Sequence, residues 1–314
     1  HGRGFWILDD IIPFRSAAEV NQTDEVILYP PSDPIRGIYP AKIQYYLKEQ
    51  ADTVHIDLMD YKGVVIHSYS GFNSKYVPDP NVSRWMRGGS TVPTTAKGLN
   101  TFTWDLRYPG ATSFDGMIIW SARPQRGPLA PLGNYQVKIR VGDVQKTETF
   151  EIKIDPNLEE ITPSDLQLQF DLAIQIRNQT SSANEAVIQI RSLRNQLEAL
   201  MKHQELSALN TSVQEIIEKT RGIEETLYQV KNQSNQDPLN FPIKLNNRLA
   251  SLRRSVENGQ ARPTDAAYVV FDELKGALTQ LLTQLDTLLS EDLNRLNDAF
   301  MAQGFKAIEI KKVP

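Results

Sequence analysis

The sequence predicts a multidomain chain made of two unlike parts, an all-β region followed by an all-α region. Between residues 41 and 156, apolar side chains alternate with polar ones, the period of a half-buried strand. Between residues 162 and 304, they recur at alternating spacings of three and four, the period of an amphipathic helix. Runs of strands followed by runs of helices fold as separate domains rather than as one interleaved sheet. At 314 residues the chain is long enough to build more than one core. Residues 1–40 read as a connector, with the Pro-rich stretch YPPSDPIRG in it, and 305–314 as a short C-terminal strand or tail.

Seven strands are predicted in the first part. AKIQYYLKE sets Ile43, Tyr45 and Leu47 on one face. DTVHIDLMD sets Val54, Ile56 and Leu58 on one face, with His55 and Asp57 opposite. VVIHSYS follows across Asp60-Tyr61-Lys62-Gly63, a turn with Asp at its start and Gly where positive φ is wanted. NTFTWDL brings Phe102, Trp104 and Leu106 into phase, and GMIIW is a short apolar run. NYQVKIRVGD carries Tyr135, Val137, Ile139 and Val141, and KTETFEIKID carries Phe150, Ile152 and Ile154. Gly142-Asp143 between the last two signals a hairpin. Short half-buried strands in this number predict a β-sandwich of immunoglobulin or fibronectin type III kind. The sequence has no Cys pair to cross the sandwich, which leaves Trp104 as the large buried aromatic.

The helical part opens with Thr162 as cap, Pro163 in the first turn and Asp165 three residues after the cap. Apolar stripes follow at Ala186, Ile190, Leu193, Leu197 and Leu200, then at Val213, Ile216, Thr220, Ile223, Leu227 and Val230. A third runs through Leu245, Leu249, Leu252 and Val256 to a stop at Asn258-Gly259. The fourth starts near Pro263 and carries Val270, Leu274, Leu278, Leu281, Leu285 and Leu288, continuing through Leu293, Leu296 and Phe300 to Gly304. Narrow stripes of this kind bury against one another at shallow crossing angles, which predicts an antiparallel bundle of three or four helices. Two of the helices should be long, roughly 50 to 60 Å at 1.5 Å per residue.

Composition removes several functions. A net charge of −4 supplies no basic face for nucleic acid. No apolar run reaches the roughly 18 residues of a membrane span. The absence of Cys excludes disulfides, thiolate nucleophiles and Cys-ligated zinc. Asn-x-Ser/Thr triplets at Asn21, Asn81, Asn178, Asn210 and Asn232 are what chance yields in a chain rich in these residues.

The opening string HGRGFWILDD combines a Gly-Arg-Gly that lets the backbone pass a tight spot with the continuous apolar run FWIL, as in a strand covered on both faces. It resembles the closing strand of the β-propeller in bacterial sortilin-like proteins with BNR-type glycosyl-hydrolase repeats. The likeness continues in order through Ile12 to Arg15, the Pro-rich linker, VHIDLMDYKGVVI, FTWDLRYPGA, GPLAPLGNYQVKIRVGD and the helical opening ITPSDLQLQ. HGRGFW and WDLRYP are fairly specific and the helical part is generic. Ser113-Phe114-Asp115-Gly116 lacks the spacing of the Ser-x-Asp-x-Gly-x-x-Trp box, so the propeller itself is not in this chain. The resemblance implies a C-terminal piece of an exported protein, its first ten residues an orphan propeller strand. It implies an extracellular, periplasmic or cell-surface location, and the propeller of the same protein as first partner.

Four places carry chemistry-bearing residues. His55, Asp57 and His67 on one hairpin suggest a Zn²⁺ set, against an ordinary solvated face with polar residues alternating outward. The long segment from about 71 to 99 holds Phe72, Tyr76, Arg84, Trp85, Met86 and Arg87, residue types that anchor interfaces or stack on sugars. The alternative there is a loop that Trp85 tucks onto its own sandwich or onto an adjacent propeller. The segment 107–132 holds Arg107, Tyr108, Trp120, Arg123 and Arg126, where Arg beside aromatics suits a carboxylate or sugar acid. Its plainer reading is a Pro-fixed connection packed on the sandwich. Asp105, Asp115, Glu159 and Glu160 form no recognisable acid–base pair. The candidate interaction surface is therefore Tyr76, Arg84, Trp85, Arg87, Trp120, Arg123 and Arg126, with no catalytic residue, cofactor or metal expected. Two functions follow as expectations: a non-catalytic module that braces the propeller and mediates protein–protein assembly or self-association through the helices, or carbohydrate-contacting accessory domains of a glycoside hydrolase whose active site lies in the propeller.

Overall fold

The computed structural model describes residues 11–15, 24–72 and 92–310. The fold is mixed, with antiparallel β-sheets and α-helices, as the sequence predicts. The chain separates into two compact units, the described residues of His1–Pro109 with Leu129–Gln167, and Gly110–Pro128 with those of Leu168–Pro314. A helical turn, α1 (Ile12–Arg15), precedes the strands. The orphan strand expected at Phe5 to Leu8 lies outside the described residues.

The first unit is built from β1 (Val26–Leu28), β2 (Ala41–Leu47), β3 (Thr53–Asp60), β4 (Val65–Phe72), β5 (Gly98–Trp104), β8 (Gly133–Val141) and β9 (Val144–Ile152). Two short strands, β6 (Arg107–Pro109) and β7 (Arg126–Leu129), flank the segment that leaves this unit. One antiparallel sheet has the order β1-β2-β5 and the other β4-β3-β8-β9. Alternation works as read: Ile43, Tyr45, Leu47, Val54, Ile56, Leu58, Phe102, Trp104, Val137, Ile139 and Ile152 are all buried in one cluster drawn from both sheets. The β3–β4 turn is closed by the Asp60 carboxylate, which accepts from the amides of Lys62 and Val64 at 2.9 Å, while Gly63 takes φ +80°. Gly142, at φ +55°, turns β8 into β9.

Trp104 is the buried aromatic foreseen, 1% exposed. Its Nε1 donates to the Arg107 carbonyl at 3.0 Å, and the rings of Tyr135 and Phe150 lie at 5.8 and 6.3 Å.

The connector expected over 1–40 is only partly one. β1 pairs with β2, Ile35 bridges Lys153, and the buried Arg36 donates from Nε to Ala130 O at 2.8 Å. Three residues are too few for a periodicity to show, and a strand of that length is decided by its distant partner.

Burial raises the pKa of Tyr29, Tyr45, Tyr108 and Tyr135, and pushes Tyr69 up to about 12 with help from the Asp105 charge. A tyrosine whose folded pKa exceeds its unfolded value, near 10, keeps a proton that the unfolded chain releases. Its stabilisation is whole below about pH 10 and fades as pH rises towards the folded value. The part of the tyrosinate absorbance that these five residues supply should therefore appear only in a cooperative step that coincides with loss of β-sheet signal. Full ionisation of all eleven tyrosines with the sheet intact would contradict this burial.

The helices α2 (Pro163–Leu200, in the second unit from Leu168 on), α3 (Asn210–Leu227), α4 (Leu245–Val256), α5 (Asp265–Thr287) and α6 (Leu293–Ala302) share two apolar clusters. The predicted start of α2 is a reciprocal box: Asp165 N donates to Thr162 Oγ1 at 3.2 Å, and Thr162 N to Asp165 Oδ2 at 3.0 Å. A π-helical turn, Leu288–Asp292, joins α5 to α6, so segments of 23, 5 and 10 residues follow without a break. Among the described residues no helix is long and apolar enough to cross a membrane.

Two local expectations fail in this part. Val230 lies past the end of α3, and it and Val270 are exposed. GMIIW is not a strand; it belongs to the segment 110–128, whose backbone bonds to helix side chains. Residues 305–310, in the segment read as a strand or tail, form no strand. Gly304 (φ +82°) reverses the chain, and Asn297 bonds both the amide (2.8 Å) and the carbonyl (3.1 Å) of the buried Ile308. Alternating apolar residues mark a buried face, and an Asn side chain satisfies the backbone there as well as a neighbouring strand would.

Candidate interaction surface

The segment Gly110–Pro128 is a strap held by side chains of its own unit. Its neck closes where Ala111 N donates to Pro124 O at 2.8 Å. A Cβ on Gly110 would stand 2.1 Å from Gln125 O, so only glycine fits. Along α2, Thr112 N donates to Ser181 Oγ (3.0 Å), Thr112 Oγ1 to Glu185 (2.7 Å), and Asn184 Nδ2 to Thr112 O (2.7 Å). Further on, Ile118 N donates to the Tyr228 hydroxyl (3.1 Å), which itself donates to Gly116 O (3.3 Å).

Phe114 meets Tyr228 edge-on at 5.1 Å, and the Arg191 guanidinium lies over both rings, 4.7 and 5.4 Å from their centroids. Arg191 and Arg194 each bond Glu224 at 2.7 Å. Glu224 is 1% exposed, so the strap rests on a buried carboxylate shared by two half-buried arginines.

α4 holds the tip. Trp120 N donates to Asn247 Oδ1 at 2.7 Å, and Asn247 Nδ2 returns a bond to Trp120 O at 3.0 Å. Ser121 sits at φ +54°, a left-handed conformation costing about 1–3 kcal/mol in a non-glycine residue. Arg254 bonds its carbonyl at 2.5 Å and also its hydroxyl. Arg253 donates to Arg123 O at 2.9 Å and pairs with Glu257. With its backbone held from both sides, the Trp120 side chain remains 37% exposed, and Arg123 and Arg126 are exposed too.

Trp120 and Arg123 thus share one strap, and Arg126 follows in β7 with its amide on Arg123 O (3.1 Å). Arg107 and Tyr108, read as part of the same loop, are half-buried, and Tyr108 packs on the core of the β unit. Tyr76, Arg84, Trp85 and Arg87 lie outside the described residues.

The His55–Asp57–His67 set does not converge. Register places Ser70 and Ser68 opposite His55 and Asp57, while His67 faces Leu58 on the other side of the sheet. Asp57 instead accepts from Ser68 (2.7 Å) and pairs with Arg140 (3.2 Å). His55 Nδ1 bonds Ser70 Oγ at 2.8 Å, and His67 stacks on Tyr69 at 4.2 Å. Among the described residues no group of three or more His, Cys, Asp or Glu could hold a metal ion. Asp105, Asp115, Glu159 and Glu160 are all exposed.

Sequence reasoning did not select Asn184, Glu224, Asn247, Arg253 or Arg254, which fix the strap. Their signal was present: Asn184, Glu224, Asn247 and Arg253 are polar yet fall at buried helix positions. A buried polar group needs a partner, and here the partners come from the strap.

No protein-family model matches this chain, and comparison with curated proteins returns no match.

Proposed function

We propose that this chain is a non-catalytic bracing and interaction module, the C-terminal part of an exported sortilin-like propeller protein. Its β unit is an immunoglobulin-like sandwich of the fibronectin type III variety, and its helices form an antiparallel bundle. Two features support the sandwich. The first, second and fifth strands share a sheet opposite the third, fourth, eighth and ninth, and Tyr135 near the start of β8 donates to Pro131 O at 2.9 Å, as a tyrosine corner does. Support for the propeller origin is the ordered likeness from HGRGFW to ITPSDLQLQ. An extracellular, periplasmic or cell-surface site follows from that likeness.

The observation that carries the interaction role is Trp120. Its backbone is fixed by Asn247, the next residue is held in a strained conformation by Arg254, and its side chain stays exposed. A rigid, partly exposed Trp is an efficient interface anchor, because little entropy is lost on binding.

The test joins this chain to the segment encoded immediately before His1 and measures mass by light scattering, with Trp120→Ala alongside. Repeated Asp-box strands upstream, and a defined assembly that Trp120→Ala weakens about tenfold or more without lowering Tm, are the expected result. A Trp emission shift that depends on added oligosaccharide would favour the carbohydrate-contacting accessory reading. Non-propeller sequence upstream would sink the propeller origin, and an unchanged assembly would sink the role of Trp120.

A further inference from the structure

The surface around Trp120 is basic, in a chain whose net charge is −4. Two ties lay the tip of the strap along the start of α4. Gln229 Nε2 donates to Pro242 O (2.8 Å), next to the Tyr228 hydroxyl that holds Ile118 N, and Asn247 holds the backbone of Trp120. Pro242–Asn247 therefore runs beside Ile118–Trp120. Ile243, 36% exposed, and Trp120 supply the apolar part of this surface. The charged part comes from both sides of it. α4 contains no acidic residue, and the strap has only Asp115 against Arg123 and Arg126. Asn247 and Arg254 mark the face of α4 that meets the strap. At about 100° per residue, Lys244, Arg248, Ser251 and Ser255 fall on the stripe adjoining that face. Arg123, Arg248 and Arg254 are exposed. Among the described residues no carboxylate pairs with any of these three, whereas Arg253 has Glu257.

We infer that this surface docks an acidic peptide segment, with an apolar residue of the segment against Trp120 and Ile243 and its carboxylates on Arg123, Arg248 and Arg254. Charge names the occupant, because each guanidinium offers a carboxylate a planar fork of donors, and complementary charge selects the partner and speeds its arrival. Part of the ordering cost is met before binding. Arg254 is pinned to Ser121 while still exposed, and Arg123 leaves a backbone whose carbonyl accepts from Arg253 and from the Arg126 amide. A nucleic acid strand calls for cations along a whole groove, whereas here they gather at one tip beside an aliphatic side chain. This partner class rests on Trp120 being an anchor, as proposed above.

The experiment uses the whole chain and a fluorescein-labelled peptide, Glu-Glu-Leu-Glu-Glu-Leu, with Gln-Gln-Leu-Gln-Gln-Leu as its neutral counterpart, and reads Kd by fluorescence anisotropy at low and at physiological salt. The parent should bind the acidic peptide about tenfold or more tightly than the neutral one, and the difference should shrink as salt rises. Arg123→Gln and Arg248→Gln should each weaken the acidic peptide about two- to fivefold and leave the neutral one unchanged. Lys202→Gln, an exposed control past the end of α2, should bind as the parent does. Trp120→Ala should weaken both peptides, because it removes the apolar contact. Equal affinity for the two peptides, with Trp120→Ala still weakening them, would overturn the acidic class and keep the anchor. Binding that falls in the two Arg variants but ignores Trp120→Ala would keep the acidic class and remove the anchor. A parent that leaves the acidic peptide unbound at about 1 mM, or that prefers a single-stranded oligothymidylate of equal charge, would overturn the docking.

Discussion

Glu224→Ala is expected to lower the stability of the helical unit by about 3 kcal/mol, towards the lower end of the cost of removing one partner from a buried ion pair. The carboxylate is almost wholly buried and bonds Arg191 and Arg194 at 2.7 Å each. Its loss leaves two guanidinium groups facing each other with no counter-charge. Their side chains are 34% and 23% exposed, so they can turn partly towards water, which places the effect at the lower end. Arg191 also stacks on Phe114 and Tyr228, so the strap should loosen with it. Urea unfolding followed at 222 nm should show a lower midpoint with an unchanged slope. Glu224→Gln, which keeps shape and some hydrogen bonding, should lose less. A change under about 1 kcal/mol in the alanine variant would mean that the triad does not hold this unit.

Trp104→Ala should cost the β unit about 3–5 kcal/mol, the usual range for emptying a large aromatic site. That is a large part of the roughly 5–15 kcal/mol that holds a typical domain together. The indole fills the space between the two sheets, against Tyr135 and Phe150, and its N–H satisfies the Arg107 carbonyl. Trp104→Phe keeps most of the ring packing but orphans that carbonyl, at about 1–3 kcal/mol. Near-ultraviolet circular dichroism should collapse in the alanine variant while the 222 nm helical signal persists, since the helices have separate apolar clusters. Simultaneous loss of both signals would show that the two cores fold as one.

How far the sequence could be read depended on how local each signal was. The hairpins at Asp60–Gly63 and Gly142–Asp143 were legible because turn chemistry is settled within four residues. The start of α2 was legible because its cap is a reciprocal pair three residues apart. GMIIW misled because an apolar run has the same composition whether it pairs as a strand or presses on a helix. Among the site residues, Trp120 and Arg123 were visible as residue types. The asparagines, the tyrosine and the arginines that hold them were not, since each acts on a backbone group more than 65 positions away in sequence.

Periodicity, turn residues and caps in this sequence by themselves determined two regions of different secondary structure and, for most of the strands and helices they located, which face is buried. Those properties follow from backbone geometry and from the cost of exposing apolar area, both felt within a few residues. Only the tertiary structure decided that Val26–Leu28 joins a sheet, that the three residues His55, Asp57 and His67 part company, and that residues 110–128 lie along helices. Each of these turns on register or on a buried polar group finding a distant partner, and no local pattern encodes which partner that will be.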